Sequence, residues 1–345
     1  MVNYNPLDAF DMQERLNFSL NFNVQRPTIL DTIFPDIKTE YLQAEYYRLM
    51  DGGNLPDVAY VHAPDTEALI GERPDFQKVL AEKLFIKKKI NQSERLQMLI
   101  DKGVPDDARL TNWVFNDAAN LFEGVLARTK IMKGQALSDG ELKIKENNLD
   151  MKIDLGVPTE NKIAFGQWKD AETDIMGDIE KAVNLLTDKG YIPNKMLTSK
   201  KNIRYMRSNT GIQTAALGKN NARLLTVSEL NNFLYEEFGL TVDSCDERFN
   251  YRSADGTKKT GRYYKEDKVT IYAANPAGDL GIGLWGPTPE EMEYRQFLEH
   301  ENRSFITLSM WATPDPVAKW TKASGMFIPV SPLFGAMVIG TVQGE

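Results

Sequence analysis

The chain has 345 residues, 42% of them hydrophobic and 26% charged, which is ordinary for folded protein and leaves room for two domains or one large one. A net charge of −8 argues against strong nucleic-acid binding, which needs a basic face. No window approaches eighteen apolar residues, so no membrane span is expected.

Residues 1–30 are polar and weakly periodic, and Met1–Asn5 onward lacks the charged and apolar regions of a signal peptide. Phe18, Leu20, Phe22 and Val24 alternate, which predicts a strand-like arm needing an anchor. Thr28–Ile33 runs into a break at Phe34-Pro35. Asp57–Ala63 reads as a strand with Val58, Tyr60 and His62 on one face. Lys78–Ile90 reads as a longer one, with Leu80, Leu84, Ile86 and Ile90 together. The fourteen residues Pro64–Gln77 between them form a loop long enough to suggest function. Leu69, Ile70 and Phe76 at its tip cannot reach a core of their own, so a second molecule is expected to cover them.

Asp106–Lys133 is the longest helical pattern. Pro105, Asp106 and Asp107 suit a helix start. Leu110, Val114, Ala118, Leu121, Val125 and Met132 form an apolar stripe that Trp113, Phe122 and Leu126 widen. Gly134 reads as the stop. Three strands follow: Gln135–Ser138 and Glu141–Glu146 joined by Asp139-Gly140, then Leu149–Leu155, whose alternate residues give an apolar face for the helix to cover.

From about 171 the pattern turns α/β. Thr173 can cap a helix reaching Lys189, with Ile175, Ile179, Val183 and Leu186 inward. Lys195–Thr198 reads as a strand, Lys200–Arg207 as a helix and Thr210–Asn221 as a loop. Thr226-Val227-Ser228-Glu229 is a capping box opening a helix that Gly239 closes. Phe249–Arg252 and Thr260–Tyr264 flank a polar hairpin tip, and Lys268–Ala274 reads as a core strand. Pro287–Leu298 reads as a helix. Phe305–Ala312, Phe327–Val330 and Ala336–Val342 read as closing strands that rejoin the first sheet.

No stretch carries convincing chemistry. Cys245 is the one cysteine, and its neighbours Asp246 and Glu247 disfavour a thiolate. His62 and His300 are the only histidines; Glu299-His300-Glu301 reads as an exposed polar turn, since adjacent side chains point apart. Gly281-Ile282-Gly283 has the wrong spacing for a dinucleotide fingerprint, and Gly218-Lys219-Asn220 lacks the rest of a phosphate loop. No catalytic residue, cofactor or metal site is therefore expected, and the chain reads as a non-enzyme.

The order of elements resembles the Hong Kong 97-type fold of tailed-bacteriophage major capsid proteins, and within it the lambda-like capsid protein E family. Ile33-Phe34-Pro35 with Lys38-Thr39-Glu40-Tyr41, Glu123-Gly124-Val125-Leu126 with Lys133-Gly134, Asp178-Ile179-Glu180, Lys268–Ala274 with Asn275-Pro276, and Pro329–Val342 carry the likeness, which spans roughly 20–342.

The resemblance implies an α+β fold: a long spine helix on an antiparallel sheet, an inserted α/β axial domain, an extended β loop and an N-terminal arm. The arm would be 1–30 and the extended loop 57–90. The axial domain would be 171–300, and the peripheral domain 31–56, 91–170 and 301–345 with spine helix 106–133.

It also implies hexamers and pentamers of an icosahedral head around double-stranded DNA, gripped only weakly. Scaffold, portal and, where present, decoration proteins would be the other partners, with no membrane partner. Leu69, Ile70, Phe76, Phe18, Leu20 and Phe22 are the subunit-contact candidates. The alternatives are an encapsulin-like nanocompartment shell and, from another class, a soluble acid-catalysed hydrolase.

Overall fold

The computed structural model describes residues 27–49, 76–92, 107–146, 149–218, 223–252, 256–292, 299–303, 305–314 and 317–343. The chain opens with helix α1 (Ile29–Ile33) and strand β1 (Asp36–Lys38). β2 (Gln43–Leu49) pairs antiparallel with β3 (Phe76–Glu82), and β4 (Leu84–Gln92) follows after Lys83 alone. Helix α2 (Asp107–Asp139) runs 33 residues, about 50 Å at 1.5 Å per residue. It leads into the β5 (Glu141–Glu146) and β6 (Leu149–Asp154) hairpin.

The second half alternates. β7 (Lys162–Phe165), α3 (Ile175–Thr187) and β8 (Lys195–Thr198) come first. Helices α4 (Lys200–Ser208), α5 (Thr210–Leu217) and α6 (Val227–Phe238) follow, then β9 (Thr241–Ser244). β10 (Arg248–Arg252) and β11 (Lys258–Arg262) form a hairpin before β12 (Lys268–Tyr272). β13 (Ile282–Gly286), α7 (Pro289–Met292), β14 (Glu299–Arg303), β15 (Ile306–Pro314), β16 (Val317–Val330) and β17 (Met337–Val342) complete it.

Two larger sheets organise these strands. One runs β1-β13-β16-β15-β14, with β4 on the other edge of β16. All its pairs are antiparallel except β1 with β13. Helix α2 lies on it, burying Leu121, Val125 and Met132 against a core that includes Trp285, Phe327 and Ile328. The other sheet runs β7-β17-β12-β8-β9. Because strand side chains alternate, it serves two cores at once. Leu197, Tyr272 and Ile339 join the core of α2, while Met196, Ile271 and Val338 join the one filled by α3–α6. Thr270 crosses the join, its hydroxyl donating to the Leu137 carbonyl at 2.7 Å.

Several sequence expectations are corrected here. Gly134 does not end the spine helix: a Cβ there would overlap the Tyr263 carbonyl oxygen, so glycine permits close packing. The stop is Gly140, at φ +68°, so 135–139 is helical and Asp139-Gly140 is no hairpin turn. The helix's main bed is the β16 sheet, not the 141–155 strands; Leu149 is exposed while Leu142 is buried. Lys78–Ile90 is two strands, divided at buried Lys83, and β3 pairs with 43–49. The strand expected at 57–63 lies outside the described residues.

Asp174, not Thr173, caps α3 by accepting from the Gly177 amide at 2.9 Å. Thr210–Leu217 is helical because Asn209 caps it, accepting from the Ile212 amide at 3.0 Å. Glu299-His300-Glu301 lies in β14 rather than a turn. Of the helix expected over 287–298, 289–292 is helical and 293–298 lies outside the described residues. Among the closing strands, β16 rejoins the first sheet, but β17 sits between β7 and β12 in the second.

Candidate functional site

Two features at the edge of the spine helix bear on function: the base of the β2–β3 arm and an open groove beside β4. The base rests on Lys83. Its ammonium donates to the Thr39 hydroxyl at 2.6 Å and to the Tyr41 carbonyl, and burial pushes its pKa below the usual lysine value. Its stem lies over Gly286, where a Cβ would come within 2.8 Å. The arm therefore leaves the body at one buried cation held by β13 and the 39–41 segment.

The segment before β1 is fixed to the helix in a similar way. Lys133, fully buried, reaches Asp31 at 2.9 Å and Asp36 at 2.8 Å, beside the Phe327 ring. Burial pushes the Asp31 carboxyl up, but Lys133, the Thr28 amide and Lys130 outweigh it and hold it below the ordinary range. Chain entering from the N-terminal side is thus bonded to α2.

The groove, about 340 Å³, lies between β4, α2 and the β5–β6 hairpin. Leu84, Ile86, Val125, Met132, Ile144 and Met151 give it an apolar floor. Lys87, Lys88 and Arg128 line it too, giving it a basic rim; Arg128 is ion-paired to Glu146, and the Lys87 ammonium sits 3.8 Å above the Phe85 ring. Gly124 makes room for Lys88, whose Cδ would lie 2.9 Å from a Cβ there. Leu149 and Met151 remain 56% and 38% exposed, a large apolar surface left open to solvent. Hydrogen bonds from Lys143 and then Lys152 hold Glu141 at about 2, locking the hairpin's first residue at the helix end.

Of the contact candidates, Leu69, Ile70, Phe18, Leu20 and Phe22 lie outside the described residues, and for Phe76 only its backbone place opposite Leu49 is described. The groove was missed in the sequence because its walls come from three distant segments; Gly124 inside a helix was the one local sign. Cys245 is buried, and burial, then Glu247, pushes its thiol far above the usual range. Among the described residues no group of His, Cys, Asp and Glu could hold a metal, and no helix is long and apolar enough to cross a membrane.

The protein family described as phage major capsid protein E matches residues 21–342. The chain belongs to that family. It is a structural capsid protein, not an enzyme, and its place is the virion capsid. Among solved structures it is similar to a protein described as the capsid protein of an E. coli CFT073 prophage, at 16% identity and TM-score 0.59, covering 95% of this chain and 98% of the other. A phage-related protein from Bordetella bronchiseptica RB50 matches at 12% identity and TM-score 0.53, covering 95% and 96%. The mature capsid protein of bacteriophage PhiM1 matches at 8% and 0.51, covering 94% and 90%. The structural likeness, at TM-scores above 0.5 over nearly the whole chain, shows a shared fold, the one the order of elements resembles. Among curated protein sequences, none matches.

Proposed function

We propose that this protein assembles by laying the 64–75 loop of one copy, with Phe76 where it joins β3, into the groove of the next. The carrying observation is the match between the two. The groove is apolar with Lys87 and Lys88 around it, and with Arg128 paired to Glu146. The loop brings Leu69, Ile70 and Phe76 together with Asp65, Glu67, Glu72 and Asp75 against a single Arg73. Loop and groove are different surfaces, so the contact is heterologous and closes rings when the rotation allows. Hexamers and pentamers of a DNA-filled icosahedral head are the rings in this reading, the arm with Phe18, Leu20 and Phe22 clasping a further copy. The peripheral part is then built on α2 and the axial part on the α3–α6 core, with scaffold, portal and decoration proteins as further partners.

The test pairs Leu69→Cys with Met151→Cys. Buried Cys245 stays out of the reaction. On mild oxidation, non-reducing gels are expected to show a ladder of covalent multimers ending at the ring size seen by negative-stain microscopy. A disulfide closing within one chain, or intact shells without any ladder, would overturn the proposal.

A further inference from the structure

Between 248 and 262 the chain carries five basic side chains and one acid, in a molecule of net charge −8. The β10–β11 register sorts them onto two faces. Arg248, Asn250 and Arg252 lie opposite Arg262, Thr260 and Lys258. One face therefore holds two directly opposed like-charge pairs, an arrangement that weakens a sheet unless counter-charge is supplied. Arg262 has its own, Asp246 at 2.8 Å and Glu266 at 2.5 Å. Arg248, Arg252 and Lys258 are exposed and have no ion-pair partner among the described residues.

The ribbon is not loose at its stem. On its other face Phe249 packs on Tyr251 and Tyr263, with ring centres 5.9 and 5.2 Å apart, and covers Gly261. The Tyr263 carbonyl abuts Gly134 of the spine helix, and Lys265 pairs with Asp139 at 2.6 Å. The fold thus holds out a cationic surface on which Arg248, Arg252 and Lys258 lack an ion-pair partner among the described residues.

Helix α6 offers the opposite. Tyr235 is 65% exposed, and Glu236 and Glu237 beside it are exposed with no ion-pair partner among the described residues. We propose that the basic face of the 248–262 hairpin docks on the exposed last turn of α6, at Glu236 and Glu237, in a second copy of this chain. The two patches are distinct, as a ring-forming contact requires. Nucleic acid also attracts cations, but neighbouring copies present fixed carboxylates at high local concentration. The proposal rests on self-assembly. The Leu69–Met151 cross-link reads the loop contact separately, so either contact can fail alone.

The test is charge reversal with rescue. R252E/K258E is expected to keep the far-UV circular dichroism of the parent and to raise the protein concentration needed for assembly by about tenfold or more. E236K/E237K is expected to do the same, and the four substitutions combined to restore assembly. The milder R252Q/K258Q, expected to shift the threshold in the same direction, serves if reversal disturbs folding. Three results would overturn the proposal: an unchanged threshold in the hairpin variants, no recovery in the combined variant, or normal shells that lose only their co-purifying nucleic acid.

Discussion

Replacing Lys133 with methionine isolates the bond between the entering chain and the spine helix. The ammonium is fully buried between Asp31 at 2.9 Å and Asp36 at 2.8 Å, whose side chains keep 29% and 22% of their exposure. Removing one partner of a fully buried pair costs about 3–5 kcal/mol. Water at both carboxylates, and Lys130 at 3.4 Å from Asp31, lower that here to about 2–4 kcal/mol.

In local opening this is roughly a hundredfold, at 1.4 kcal/mol per tenfold. Native-state hydrogen exchange reads it directly. The amides of Phe34, Leu280 and Gly283, which donate to Leu30, Ile33 and Pro35, are expected to exchange about a hundredfold faster in K133M, with α3 amides unchanged. Asp31 is held below the ordinary carboxylate value, so its contribution is present at neutral pH and lost as pH falls through the folded value. Acid should therefore loosen 29–38 in the parent, and less so in K133M. The triple variant D31N/D36N/K133M should recover part of the loss, because the two carboxylates no longer face a missing ammonium, although Lys130 loses its Asp31 contact. Exchange in K133M within about threefold of the parent would refute the reasoning.

Two further outcomes are expected. G134A places a methyl on the Tyr263 carbonyl and should cost about 1–3 kcal/mol or more, measured as a lowered Tm, while Q135A on the same helix turn changes little. Glu290 joins Lys322 at 2.5 Å and Ser324 at 3.2 Å; burial raises its pKa, but Lys322, its own backbone amide and Ser324 prevail and keep it low. E290Q should cost about 1.5–3 kcal/mol at neutral pH and flatten the loss of stability below about pH 4, read from urea midpoints across pH.

The periodic parts of this fold were legible in the sequence. The stripe through Leu121, Val125 and Met132 gave the spine helix, and Thr226 with Glu229 gave the start of α6, because both signals are local. The misreadings share a cause. Gly134 has the sequence of a helix stop, yet its reason for being glycine is Tyr263, far along the chain. Gly281-Ile282-Gly283 looked like loop; it enters β13, with glycine demanded by Val330, Phe34 and Asp36 crowding from elsewhere. Lys83 splits a strand because Thr39 and Tyr41 capture it. The groove likewise has no contiguous signature.

The placement of β17 has a consequence for when the molecule becomes competent. Residues 337–342 separate 162–165 from 268–272 in the second sheet and present Val338 to one core and Ile339 to the other. On the ribosome, β7 joins this sheet and β12 gains its second neighbour only once those six residues have been made, a step of high sequence separation and hence slow closure. Helices α3–α6 can pack on β8, β9 and β12 before that, but lack Val338 and Val342 until β17 arrives. Polypeptides that have not yet reached β17 thus lack a closed second sheet.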